Sequence, residues 1–155
     1  MNPIDERVVR TTQGGLPLVP APYARIAREV GVSEAEVLDR LESMLADGRI
    51  RRIGAVPNHY ALGYTANAMT VWDIADEAAD ELGAAVGALA FVSHCYRRPR
   101  RLPDWPYNLF AMVHGRDRNE TEAHVRAIRE RLGSAVRACD TLYSVRILKK
   151  TGLRL

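Results

Sequence analysis

Residues 91–115 run Phe91-Val92-Ser93-His94-Cys95-Tyr96, then Arg97-Arg98-Pro99-Arg100-Arg101-Leu102-Pro103-Asp104-Trp105-Pro106-Tyr107, then Asn108-Leu109-Phe110-Ala111-Met112-Val113-His114-Gly115. The two outer pieces are short, apolar and aromatic, and predict strands over Phe91–Tyr96 and Asn108–His114. A side-chain period of two puts Val92, His94 and Tyr96 on one face of the first. It puts Asn108, Phe110, Met112 and His114 on one face of the second. The middle piece, Arg97–Tyr107, is long for a hairpin connection and crowded with Arg, Pro and aromatic residues. Long connections of definite composition usually carry function.

Working outward, Ala66–Trp72 reads as a strand and Asp76–Leu89 as a helix with Ala78, Leu82, Ala85, Val86 and Leu89 inward. On the other side, Asn119–Leu132 reads as a helix with Val125, Ile128 and Leu132 inward, and Thr141–Leu148 alternates as a last strand. The order β-α-β-β-α-β is the ferredoxin-like arrangement, in which both helices cover one face of an antiparallel sheet.

Further upstream the period changes to helical. Ile4, Val8 and Val9 mark a first helix stopped by Gly14-Gly15. Tyr23, Ile26, Ala27 and Val30 mark a second, with Pro22 suited to its first turn. Ser33-Glu34-Ala35-Glu36 is a capping box, and Val37, Leu38, Leu41, Met44 and Leu45 form the apolar face of a third helix ending near Gly48. The tight Gly31-Val32 corner makes a helix-turn-helix of the last two, and Ile50–Val56 is expected to follow as a wing-like strand. The fold class is therefore α+β: a winged helix-turn-helix over 1–62, then a ferredoxin-like domain over 63–155. That pair of modules resembles the Lrp/AsnC family, whose α/β domain assembles dimers and binds an effector.

The chain has 155 residues, 47% hydrophobic and 26% charged, enough for two small domains with modest cores. A net charge of +3 permits anionic partners without demanding nucleic acid. No apolar run reaches membrane-spanning length, and Asp5, Glu6, Arg7 and Arg10 interrupt any signal-peptide pattern. Cys95 and Cys139 form no metal-type cluster, read most simply as small buried hydrophobes, and suit a reducing, cytoplasmic compartment.

Transcription regulation is the obvious function for such an architecture, but the charges oppose it. Ser33–Asp47 holds five acids (Glu34, Glu36, Asp39, Glu42, Asp47) against the single Arg40, a net −4 that DNA phosphate would repel. Arg49, Arg51 and Arg52 could touch phosphate as a wing; the competing reading is a solvated basic strand. No specific DNA binding is expected, and the helical module reads as scaffold.

Three stretches carry a closer resemblance: Thr12–Tyr23 (TQGGLPLVPAPY), Arg51–Tyr60 (RRIGAVPNHY) running on to Leu62-Gly63-Tyr64, and Val92–Pro99 (VSHCYRRP) continued by Asp104–Phe110 (DWPYNLF) and Met112–Gly115 (MVHG). Together they resemble the siroheme decarboxylase subunits of heme d1 synthesis, related to the pair used in the alternative, siroheme-dependent heme route. The resemblance implies decarboxylation of the C12 and C18 acetates of siroheme to methyl groups. It also implies assembly with similar, non-identical subunits, and no cofactor beyond the iron already in the substrate.

The residue chemistry agrees with that resemblance. Siroheme carries eight carboxylates around an apolar macrocycle. Arg97, Arg98, Arg100 and Arg101 would hold carboxylates through planar guanidinium groups, and Tyr96, Trp105 and Tyr107 would offer flat surfaces to the ring. The competing reading is a solvated charge run with packing aromatics. Of four histidines, His124 lies off the apolar stripe of its helix and reads as exposed, whereas His59, His94 and His114 fall inside the matched stretches. His94 and His114, with His59 third, are the candidates for proton donor or ligand to the siroheme iron; a buried structural histidine is the alternative for each. The alternative function is an Lrp/AsnC-type regulator sensing haem or an amino acid.

Overall fold

The computed structural model describes residues 2–149 and 155. Two compact units divide them, one within Met1–Val56 and Lys149–Leu155, the other over Pro57–Leu148.

The first unit holds helices α1 (Pro3–Thr12), α2 (Pro22–Val30) and α3 (Glu34–Ala46). Their ends follow local chemistry. Asn2 Oδ1 accepts from the Ile4 amide at 2.8 Å and Ser33 Oγ from the Glu36 amide at 3.1 Å, each satisfying an orphan donor. Gly31, at φ +81°, closes α2 and turns the chain into α3 in a left-handed geometry that a Cβ would oppose. Val8, Ile26, Ala27, Val30, Val37, Leu41 and Met44 form the core of this unit. Leu38 and Leu45, expected on the inner face, are more than a third exposed, so the buried stripe of α3 is narrower than its apolar pattern. The expected wing strand over Ile50–Val56 does not form: among the described residues this segment joins no β-ladder, and an isolated strand has nothing to satisfy its amides.

In the second unit, β1 (Ala66–Ile74), β2 (Val92–Arg97), β3 (Leu109–Gly115) and β4 (Val136–Tyr143) make one antiparallel sheet in the order β2-β3-β1-β4. Helices α4 (Ala79–Gly87, preceded by a 3-10 turn at Asp76–Ala78) and α5 (Arg118–Leu132) cover one face. Against them pack Ala68, Trp72, Ile74, Leu109, Ala111 and Val113, with Ala79, Val86, Ile128 and Leu132 from the helices. Trp72 is fully buried, and its indole N–H donates to Thr70 Oγ1 at 2.9 Å, so its polar edge costs nothing. The ferredoxin-like order expected from the sequence is the observed one.

The last strand lies earlier than its alternation suggested. It spans Val136–Tyr143, not Thr141–Leu148: its ladder to β1 runs from Ile74↔Val136 to Ala68↔Tyr143, with one further bond from the Ser144 N–H to the Asn67 carbonyl at 2.9 Å. Val145, taken as strand, is 96% exposed. Arg137 and Asp140, polar residues that an edge strand tolerates, hide the start of the true strand. His124 also differs from expectation: its ring stacks on Phe91 at 4.2 Å and 4°. The apolar stripe of α5 is wider than the Val125-Ile128-Leu132 positions implied.

Candidate active site

The sheet face opposite the helices collects the residues singled out from the sequence. Register decides this. His94 lies opposite Met112 and Tyr96 opposite Phe110 on β2–β3, while Met112 pairs with Met69 and His114 with Asn67 on β3–β1. Histidine, tyrosine and apolar side chains of neighbouring strands therefore share one surface, as the alternation required. One residue departs from it: the β2–β3 register shifts between Val92 and His94, so Val92 pairs with Val113 and packs into the helix-covered core. The extra residue of that bulge is Ser93. Bulges re-aim side chains, and this one turns the Ser93 hydroxyl toward β3.

The consequence is a continuous polar chain. Ser93 Oγ lies 2.7 Å from His114 Nε2 and 3.1 Å from His94 Nδ1. On its far side, His114 Nδ1 hydrogen-bonds Asn67 Oδ1. The Asn67 amide is oriented by its own Nδ2, which donates to the Tyr64 carbonyl at 3.3 Å, so the oxygen is what meets His114. Asn67 is fully buried, His114 half-buried and His94 exposed, so the chain leads from the interior to the surface. His59, in the segment before β1, sets its ring edge-on to His114 at 5.1 Å and against Tyr60 at 4.5 Å. Three histidines distant in sequence are thus neighbours.

Aromatic groups extend the surface. The Tyr96 ring lies 6.0 Å from His94. Trp105 folds back from the loop to stack over Phe110 at 6.4 Å and 18°, with Tyr107 edge-on to it at 5.1 Å. Backbone bonds hold that loop in place: Arg98 N–H to the Asn108 carbonyl at 3.0 Å, and Arg101 and Trp105 reciprocally at 2.8 Å. The loop is an extension of the β2–β3 hairpin.

The four arginines do not act as one cluster. Arg98 lies over Tyr96 at 5.3 Å and Phe110 at 5.4 Å, an exposed cation on the histidine-bearing face. Arg101 is exposed farther out on the loop. Arg97 emerges on the opposite face, because it pairs with Leu109, and donates to Asp80 at 2.8 Å. Arg100 is turned inward: it bonds Asp73 at 2.7 Å, both Asp76 oxygens, and the Ile74 and Pro106 carbonyls. Those bonds from Arg100, with one from Asn108, hold the Asp76 carboxyl below its usual range. A guanidinium so occupied is a loop clamp. Burial raises the Cys95 thiol pKa and leaves it a packing residue. Among the described residues no group of His, Cys, Asp and Glu is disposed to hold a metal ion.

Sequence reasoning did not find Ser93 or Asn67. A polar residue at the start of a strand carries no signal of a bulge, and the Asn67–His114 pairing exists only across strands forty-seven residues apart.

A helical unit of three helices, joined to a ferredoxin-like unit with a histidine-bearing open face, defines a protein of the Lrp/AsnC architecture. Residues 61–149 match the AsnC-like ligand binding domain, and residues 5–51 match the siroheme decarboxylase NirDL-like HTH domain. The siroheme decarboxylase NirH subunit of Pseudomonas aeruginosa is 60% identical over 149 residues, covering 96% of this chain and 87% of that one. The NirH subunit of Paracoccus pantotrophus is 58% identical over 151 residues, covering 97% and 94%. The crystal structure of the siroheme decarboxylase NirDL superposes with a TM-score of 0.68 at 34% identity, over 99% of this chain and 47% of that chain. An AsnC family transcriptional regulator from Agrobacterium tumefaciens superposes at 0.80 with 20% identity, a likeness of fold alone, over 97% and 94%. The chain belongs to the siroheme decarboxylase subunits, a family of carboxy-lyases.

Proposed function

We propose that this chain acts on siroheme as one subunit of a decarboxylase, converting the C12 and C18 acetates to methyl groups and yielding 12,18-didecarboxysiroheme on the way to heme d1. The observation that carries the reading is the single open sheet face holding His94, His114 and His59 beside Tyr96, Trp105, Phe110 and Arg98. An apolar macrocycle edged by carboxylates needs both kinds of group at once. Flat rings meet the macrocycle, and the outer edges of Arg98 and Arg101 meet carboxylates that persist through the reaction.

Each turnover of one acetate breaks the bond between its methylene and carboxyl carbons. The carboxyl leaves as CO2, and a proton takes its place on carbon with no net oxidation. An imidazolium that titrates near neutral pH is suited to deliver that proton. Siroheme iron belongs to the substrate, so a histidine that met it would orient the ring rather than bind a resident cofactor.

An open face of this kind also calls for a second subunit. The exposed Tyr96 and Leu142 share it with the histidines, and a related decarboxylase subunit packed there would enclose the macrocycle and exclude water. The free thiols suit the cytoplasm, and no described helix is long and apolar enough to cross a membrane.

The test is anaerobic incubation with siroheme, alone and with co-expressed related subunits, followed by mass spectrometry of the tetrapyrrole. Loss of one CO2 from each of two acetates supports the reading. Unchanged siroheme in every subunit combination overturns it.

A further inference from the structure

We infer that Asn67, His114 and Ser93 form a positioning chain that holds His94 in one tautomer and makes its Nε2 the working atom of the site. The inference rests on the decarboxylase reading for its chemistry, and on four side chains for its geometry.

The direction of the chain follows from its buried end. Asn67 presents an oxygen, so His114 Nδ1 carries a proton. Neutral His114 then has a lone pair at Nε2, and the Ser93 hydroxyl, 2.7 Å away, donates to it in preference to the Met112 carbonyl, the other acceptor in reach, at 3.5 Å. With its proton so directed, Ser93 Oγ has only lone pairs left for His94 Nδ1 at 3.1 Å, and His94 must donate there. Each bond is compatible with the next, and each polarises its neighbour. Fixing the proton on Nδ1 leaves His94 Nε2, which makes no hydrogen bond among the described residues, as the atom that faces outward. A histidine's free nitrogen is selected by the bond its other nitrogen makes.

The two strand histidines therefore differ in role. Both ring nitrogens of His114 are engaged, one by Asn67 and one by Ser93, so proton delivery from it, or iron ligation by it, would break a bond of the chain. His94 is exposed and half-engaged. As an imidazolium it donates from Nε2 to the methylene carbon that loses CO2, and the Nδ1–H bond to Ser93 persists in both charge states. As an iron ligand it would use the same nitrogen. In either role Ser93 and His114 act through His94.

The experiment uses full-length chain with its co-expressed partner and the variants Ser93→Ala, Ser93→Thr, His94→Ala and His114→Ala. Two readouts are taken. Long-range 1H–15N correlation spectra of the siroheme-free protein report the tautomer of His94, and siroheme turnover is followed against pH. Wild type should show the Nδ1–H form of neutral His94. Ser93→Ala should convert it to the Nε2–H form usual for free histidine, slow turnover roughly tenfold or more, and move the pH profile. Ser93→Thr, which keeps the hydroxyl, should restore both. His94→Ala should be the more severe of the two histidine variants. A wild-type-like tautomer and rate in Ser93→Ala, or full activity in His94→Ala with none in His114→Ala, overturns the inference. If the wild-type complex leaves siroheme untouched, the decarboxylase reading fails, and the tautomer spectra still decide the chain.

Discussion

Arg100 donates to Asp73 across 2.7 Å, and with side chains only 15% and 16% exposed the two lock the base of the aromatic loop to the end of β1. A second carboxylate, Asp76, meets the same guanidinium, and Asn108 Nδ2 joins it at 2.9 Å. The run of four arginines is thereby sorted: Arg100 holds the loop, Arg97 serves the helical face, and Arg98 and Arg101 stay exposed.

Arg98 and Arg100 should fail differently when replaced. Arg98→Ala removes a cation from the face proposed to meet substrate carboxylates in ground and transition states alike, so on that proposal KM should rise several-fold or more with kcat little changed. Arg100→Ala leaves Asp73 without its cation partner and frees the loop. It should lower the melting temperature and reduce kcat as well, because Trp105 is no longer held over Phe110. Steady-state kinetics and thermal melts of both variants check this. Equal effects would mean the arginines act as one cluster after all.

Acid should loosen the helical unit through Asp5. Bonds from Arg40 at 2.7 Å and Arg49 at 2.7 Å hold its carboxyl below the ordinary 3.8. A depressed folded pKa contributes stability that is complete above the unfolded value and is lost as pH falls through the folded one. The melting temperature should therefore be flat near neutrality and fall below about pH 4. Asp5→Asn should melt lower at pH 7 and lose part of that acid dependence. Parallel curves for wild type and variant would show that Asp5 contributes nothing.

Gly115 ends β3 where α5 begins, and a Cβ there would sit 2.5 Å from Thr121 Oγ1, 2.8 Å from the Thr121 nitrogen and 2.9 Å from the Asp117 carbonyl oxygen. Those atoms cannot yield freely: Thr121 Oγ1 donates to the Ala66 carbonyl at 3.0 Å, and Asp117 caps α5 through the Glu120 amide at 2.9 Å. Gly115→Ala should destabilise the ferredoxin-like unit by roughly 1–3 kcal/mol, read from the midpoint of urea unfolding. His114, the preceding residue, should follow with altered ring spectra. An unchanged midpoint would show that the turn relaxes.

DNA should not be bound specifically. Arg40, the one base of the acidic third helix, is engaged by Asp5 and Glu36, each at 2.7 Å, and Arg49 by Asp5 and Asp47, each at 2.7 Å. With those two cations paired in place, the acidic third helix turns a net negative charge toward phosphate. Mobility-shift titrations against the chain's own promoter region at physiological salt should show no specific complex. A sequence-dependent shift there would restore the regulator reading.

Much of the fold was legible because its signals are local. Pro22, Ser33 and Gly31 act on their own turns, and the alternation of Leu109–His114 reports which side chains meet the core. Where the reading slipped, the missing information was non-local. The last strand is placed by its register on β1, and the 50–56 segment finds no partner strand among the described residues.

The site divides along the same line. Composition and spacing by themselves determined that this chain pairs a helical module with a βαββαβ sheet. They also determined that His94, His114, Tyr96 and an arginine-rich aromatic loop belong to one hairpin. Only the tertiary structure decided that Ser93 bulges out of β2 to join two histidines, that Asn67 sets the proton of His114, and that Arg100 faces its own chain while Arg98 faces outward. The reason is physical. A period of two follows from the backbone of a single strand, whereas a bulge, a cross-strand hydrogen bond and an ion pair exist only once a second strand fixes the register.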